Sequence, residues 1–173
     1  MPSTMNKPLI RAEEPKDYTE ISKVHKLAFC SAPHSEQTEH LIVLALREAR
    51  ALSLSFVAEQ AGTIMGHAAF SPVEFSDGSR GWFGLGPVAV LPQFQRLGIG
   101  QAMIKKGLDT LQSLNASGCV VLEDPAYYSR FGFINRTDCL FADVPAQYFQ
   151  VLAFGPHYAK GLVSYHKAFY TKN

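Results

Sequence analysis

The chain has 173 residues, a formal net charge of +1, 47% hydrophobic and 18% charged residues, proportions that argue against a disordered or fibrous protein. The near-balance of charge argues against a broad nucleic-acid or membrane footprint, and no apolar run reaches transmembrane length. A domain of this size buries roughly 70% of the surface its unfolded chain exposes, so one core is affordable without linkers or repeats.

Leu9-Ile10-Arg11-Ala12 reads as a first strand, and Pro15 suits the opening of a helix that continues to about Phe29, with Ile21, Val24, His25 and Ala28 inward. A turn region with Ser31 and Pro33 leads to a second helix from about Ser35 to Arg50. Leu54 to Glu59 and Ile64 to Phe70 form a hairpin through Gln60-Ala61-Gly62-Thr63, and Asp77-Gly78 marks another turn. A fourth strand spans Trp82 to Leu91, a third helix Gly98 to about Asn115, and a fifth strand Cys119 to Leu122. A fourth helix carries Tyr128. Leu140 to Ala142 and Tyr148 to Phe154 read as two further strands, and Val163 to Tyr165 as a short additional one. Helices interleaved with hairpin-linked and crossover-linked strands give an α/β sandwich on a mixed sheet.

Three cysteines, Cys30, Cys119 and Cys139, form no C-x-x-C pair, and Met1 to Lys7 has no apolar signal core, so a reducing cytoplasm is the expected compartment. Pro87 lacks an N–H inside the fourth strand, which predicts a bulge around Gly86-Pro87. Where that strand passes into the third helix, the first N–H groups have no helical acceptor and the dipole is positive, a natural anion site. Gly98 and Gly100 allow close approach, although close helix–strand packing alone would also use them. Neither the G-x-x-x-x-G-K-[ST] loop nor a G-x-G-x-x-G followed by an acidic ribose contact is present at this junction.

Gln95-Arg96-Leu97-Gly98-Ile99-Gly100 instead resembles the Q/R-x-x-G-x-G/A segment of the GNAT superfamily of acetyl-CoA-dependent N-acetyltransferases. Tyr127-Tyr128-Ser129-Arg130-Phe131-Gly132-Phe133 resembles that superfamily's Y-x-R/K-x-G-F signature, although packed aromatics ended by a glycine would also explain it. The wording G-P-V-x-V-x-P and Y-Y-x-R-F-G-F is similar to that of YhbS-like acetyltransferases within it.

The resemblance implies a single GNAT domain over residues 1–173, with a core at about 8–154, a strand-rich C-terminal extension and a mostly antiparallel sheet flanked by helices. It implies coenzyme A pyrophosphate on Gln95, Arg96, Leu97, Gly98, Ile99, Gly100 and Gln101, and pantetheine beside Val88, Ala89 and Val90. Arg96, Lys105 and Lys106 form a local basic patch able to meet phosphates. Val88 N–H would polarise the acetyl carbonyl, and Tyr128 would protonate the departing thiolate or anchor it.

A general base is less legible, because Trp82, Phe83 and Leu85 occupy strand positions where some members carry a carboxylate. Glu123 and His67 are the candidates, and an ordered water path is the third route. Glu123-Asp124 also suits a helix cap, and His67 a satisfied core histidine.

Cys119 lacks a local activating group for an acyl-cysteine, and His34, Glu36, Glu39 and His40 match no zinc-protease motif. Glu36 and Glu39 lie where the first two helices meet the acceptor cleft and would attract a cationic amine; Tyr148, Phe149, His157 and Tyr158 are candidates to shape its pocket. The expected reaction is acetyl transfer from acetyl-CoA to a primary amine in a ternary complex, and the competing class is a non-catalytic acyl-CoA sensor or regulatory module. Nucleic acid and membrane are not expected partners, and the apolar late strands leave a homodimer open.

Overall fold

The computed structural model describes residues 6–172; Met1 to Met5, part of the segment read as lacking a signal core, lie outside the described residues. Among the described residues there are eight strands, β1 (Leu9–Ala12), β2 (Leu54–Gln60), β3 (Thr63–Phe75), β4 (Trp82–Val90), β5 (Gly118–Leu122), β6 (Cys139–Leu140), β7 (Phe149–Ala153) and β8 (Gly161–Tyr165), and four α-helices, α1 (Tyr18–Phe29), α2 (Glu39–Glu48), α3 (Ile99–Ser113) and the single turn α4 (Pro125–Tyr128). The order across the sheet is β1-β2-β3-β4-β5-β7, with β8 on the far end of β3 and β6 on β8. Every pairing is antiparallel except β4 with β5 and β6 with β8.

Side-chain alternation divides the core between the two faces. Phe56 and Ala58 of β2 pack with Met103, Ile104, Leu108 and Leu111 of α3, whereas Val57 joins Ile21 and Val24 of α1 and Val43 of α2. Gly107 lets α3 sit directly on the Phe70 ring; a methyl group there would overlap it.

Two irregularities position the site. The register steps from Ala68 opposite Val88 to Phe70 opposite Leu85, so Gly86-Pro87 bulges opposite the single residue Ala69, as the proline predicts. The parallel crossover partner β5 stays with β4 only from Trp82 opposite Gly118 to Gly84 opposite Val120, then diverges from it while its other edge remains paired with β7 along its whole length. The sheet therefore splits, and a cleft opens between the ends of β4 and β5.

Several boundaries differ from the sequence expectation. α2 begins at Glu39, because the Ser35 hydroxyl donates to the Glu39 carboxylate and accepts from Gln37 N–H (2.9 Å), holding the preceding residues in a turn. β3 continues to Phe75 because β8 supplies a second partner for Val73 to Phe75. The helix expected around Tyr128 is one turn, followed by a 3-10 turn at Ser129–Phe131 that Gly132 ends with φ +96°. Phe141 and Ala142 are not strand, and Ala146–Tyr148 is a 3-10 turn rather than the start of β7.

Candidate active site

Gly98 is the N-cap of α3 at φ +82°, a conformation that disfavours a Cβ, and it provides no capping side chain to compete with a ligand. The first helical bond runs from Ala102 N–H to Gly98 O (3.0 Å), so Ile99, Gly100 and Gln101 have no intrahelical acceptor for their N–H groups. These three residues, with Gln95, Arg96 and Gly98, line a cavity of ≈ 320 Å³. Its opposite wall is Tyr127 and Arg130; the guanidinium lies 4.2 Å over the Tyr127 ring and donates to Tyr127 O (2.9 Å). Two arginines and a positive helix end therefore surround one space. Leu97 is exposed and outside this lining, and Lys105 pairs with Asp109 (3.0 Å) further along α3, so the basic patch at the cavity is Arg96 with Arg130 rather than with the lysines.

The backbone of β4 leads from this cavity toward the split in the sheet. Leu91 N–H donates to Met65 O (2.8 Å), which sets the parity of the β3–β4 ladder: Ala89 and Leu91 bond toward β3, while Val88 and Val90 turn their N–H and C=O groups the other way. There β5 has already departed. The Gln95 amide accordingly donates to Val90 O (3.0 Å). Ala89 itself points its side chain into the core beneath α1 and lines neither cavity.

A second cavity, ≈ 330 Å³, occupies the split, with Leu85 to Val88 of β4 on one side and Leu122, Glu123 and Tyr128 on the other. Phe29 of α1, Glu39 and Ile42 of α2, and Phe141, Tyr165, Phe169 and Tyr170 from the C-terminal part close it. Tyr128 is buried among Tyr127, Phe131 and Phe133, and burial, then the Glu123 charge, pushes its phenol well above the ordinary value. It stays protonated at neutral pH, so it can give up a proton but not take one. Glu123 reaches water through the cleft mouth, yet the surrounding protein raises its carboxyl; a backbone bond at Asp124 opposes the rise, and the Asp124 and Glu39 charges add to it. A carboxylate with raised affinity for a proton thus shares a cavity with a protonated phenol.

His67 does not reach this cavity. It is fully buried on the α1 side of β3, its Nδ1 2.8 Å from His25 Nε2 and its Nε2 2.7 Å from Ser55 Oγ. Both ring nitrogens are engaged, and desolvation holds the ring neutral. Cys119 is wholly buried too, and desolvation drives its thiol up, away from the thiolate a covalent route needs. Of the late residues expected to shape the pocket, Phe149 is core and Tyr148, His157 and Tyr158 line neither cavity.

Residues 21–133 match the model of the acetyltransferase (GNAT) family. The chain belongs to the GNAT family. It is 36% identical over 126 residues to the uncharacterized N-acetyltransferase YhbS of Escherichia coli K12, covering 72% of each chain. Among solved GNAT structures, that of a Brucella melitensis acetyltransferase in complex with acetyl-CoA is 48% identical, with a TM-score of 0.84 over 94% of this chain and 97% of the other. The structure of Escherichia coli YhbS in complex with CoA is 32% identical, with a TM-score of 0.87 over 96% and 94%. The mixed, mostly antiparallel sheet with its four helices is thus the GNAT fold, as the two sequence signatures implied.

Membership of the GNAT family makes the residues that sequence reasoning passed over informative. Tyr127 and Arg130 were visible only as letters of a motif; the one-turn α4 brings them back to the start of α3, where Arg130 Nη1 also reaches Gln101 Oε1 (3.5 Å). Phe169 and Tyr170 come from the last turn of the chain, which packs on α2, and no local spacing announces that.

Proposed function

We propose that this GNAT acetyltransferase transfers the acetyl group of acetyl-CoA directly to a primary amine, with the pyrophosphate at the start of α3 and the reacting groups in the split between β4 and β5. The observation that carries the reading is the coincidence, along one stretch of β4, of outward-facing Val88 and Val90 backbone groups with an anion-suited cavity at one end and the Tyr128–Glu123 cavity at the other. The residues fit such a donor: Arg96, Arg130 and the free N–H groups of α3 suit its phosphates, and the β4 edge that β5 has left, at Val88 above all, suits an amide-bearing arm. When bound, the donor supplies an activated thioester carbonyl.

The roles of this chain's groups follow. Val88 N–H donates to the carbonyl oxygen as charge gathers there. Glu123 takes a proton from the acceptor ammonium, freeing the nitrogen pair to form the N–C bond as the C–S bond breaks. Tyr128 donates its proton to the leaving sulfur; the nitrogen sheds its second surplus proton once the N–C bond has formed, which restores the phenol through solvent, and Glu123 releases its own, so that ammonium and thioester give amide, thiol and one proton. Tyr128 keeps its proton at neutral pH and Glu123 has a raised proton affinity, the protonation states from which an acid and a base start.

Calorimetry with acetyl-CoA, followed by a thiol-release assay over a panel of amines, tests this reading. Binding with amine-dependent thiol release is expected. Binding without release from any amine would instead make the protein an acyl-CoA sensor, and absence of binding would remove the donor.

A further inference from the structure

The Tyr128–Glu123 cavity contains two carboxylates and no basic side chain. Glu39 enters from the first turn of α2 and Glu123 from the end of β5, and among the described residues neither has a lysine, arginine or histidine nitrogen within 4.0 Å. The Glu39 charge is also among the influences raising Glu123, so the two groups act on one shared space. Six aromatic rings, Phe29, Tyr128, Phe141, Tyr165, Phe169 and Tyr170, line the same cavity. Among the described residues, the Tyr165 hydroxyl, shut away from solvent, has no hydrogen-bond partner. An unpaired buried hydroxyl costs free energy until a ligand meets it, and aromatic faces attract cations.

We infer that the acceptor is a small dication: an amine whose reacting nitrogen lies at Glu123 and whose second ammonium, which keeps its charge through the reaction, is held by Glu39 inside the aromatic walls. This rests on the amine-acetyltransferase reading given above. Electroneutrality selects two charges over one. The reacting ammonium hands its proton to Glu123 and becomes neutral before it attacks, so it cannot balance Glu39 as the N–C bond forms. A second ammonium can, and its carbon chain lies against the rings. The same balance disfavours an acceptor carrying a carboxylate at its far end, which would face Glu39 with like charge. A cavity of ≈ 330 Å³ suits a small molecule rather than a folded protein surface.

Putrescine, n-butylamine and γ-aminobutyrate share one chain length and differ at the far end, so thiol release with each isolates the second charge. The wild-type protein is expected to show kcat/KM for putrescine about tenfold above n-butylamine, with γ-aminobutyrate below both. Glu39→Gln is expected to shrink the putrescine-to-butylamine ratio about tenfold, chiefly through KM, with acetyl-CoA thermal shift reporting that the variant is folded. Thiol release with equal efficiency on putrescine and n-butylamine, or preferential release with a peptide N-terminus, would overturn the dication while leaving the acetyltransferase intact. Acetyl-CoA binding with no release from any amine would overturn both. The wild-type ratio needs no variant, so a misfolded Glu39→Gln leaves the test standing.

Discussion

His25 Nε2 and His67 Nδ1 meet at 2.8 Å in the interior, where α1 crosses β3, and neither ring is more than 1% exposed. The contact explains why a histidine at the middle of the third strand is structural. Its neighbour on β2, Ser55, takes the other nitrogen, and α1 seals the face.

This pair makes stability depend on pH. Desolvation pushes His25 down to about 3 from 6.5 and also holds His67 well below that value. The folded state binds fewer protons than the unfolded chain once the pH falls below the unfolded value of 6.5, so stability is complete above it and is lost toward the folded values. Tm is expected to fall steadily from pH 7 to pH 4.5, with uptake of up to about two protons on unfolding at the lower end. Calorimetric scans in buffers of different ionisation enthalpy measure this uptake. His25→Gln should reduce it by about one, and an uptake unchanged by that substitution would remove His25 as a source.

The start of α3 separates two glycines with different duties. Gly98 has open space where a Cβ would lie but a φ of +82°, and Gly100 has only ordinary contacts at 3.7 Å with Tyr127 Oη and Val90 Cγ2. Gly98→Asp adds strain and puts a negative charge at the helix end, so calorimetry should show acetyl-CoA affinity reduced at least about 100-fold. Gly100→Ala should keep affinity within about tenfold. Equal losses in both variants would mean that the site depends on space and not on the charge and conformation at Gly98.

Tyr128 and Glu123 should be separable by kinetics. Tyr128→Phe is expected to lower kcat about 100-fold while leaving acetyl-CoA binding within a few-fold, the size of a lost general acid. An unchanged kcat would take the hydroxyl out of proton transfer. As the proposed base Glu123 would act deprotonated, and its carboxyl is raised above the usual 4.5, so activity should climb with pH through a limb lying above the ordinary carboxylate range. Glu123→Gln should abolish that limb; a profile that keeps it would transfer the role to an ordered water.

Much of this was legible because it is local. The Gln95 to Gly100 turn, the bulge at Pro87, the apolar stripe of α3 and the Tyr128 signature each depend on the covalent properties of neighbouring residues: a missing N–H, a missing Cβ, a helical period. The local physics marked an end of the molecule suited to anions, and the resemblance of the Gln95 to Gly100 and Tyr128 segments to known motifs gave the fold family. His67 was not legible, since its role depends on a helix residue 42 positions earlier in the chain. The cavity in the split was legible only in part: Glu39 and Glu123 stood out singly as candidates, but nothing placed them in one space with Tyr165 and Tyr170. Glu39, Glu123, Tyr165 and Tyr170 are distant in sequence, and they face one another only because β5 leaves β4 after three residues and the last turn of the chain packs on α2. Their side chains carry no period or spacing that reports on one another. Only tertiary packing decided which charges share a space, because burial and electrostatic potential are properties of what surrounds a residue and not of the residue itself.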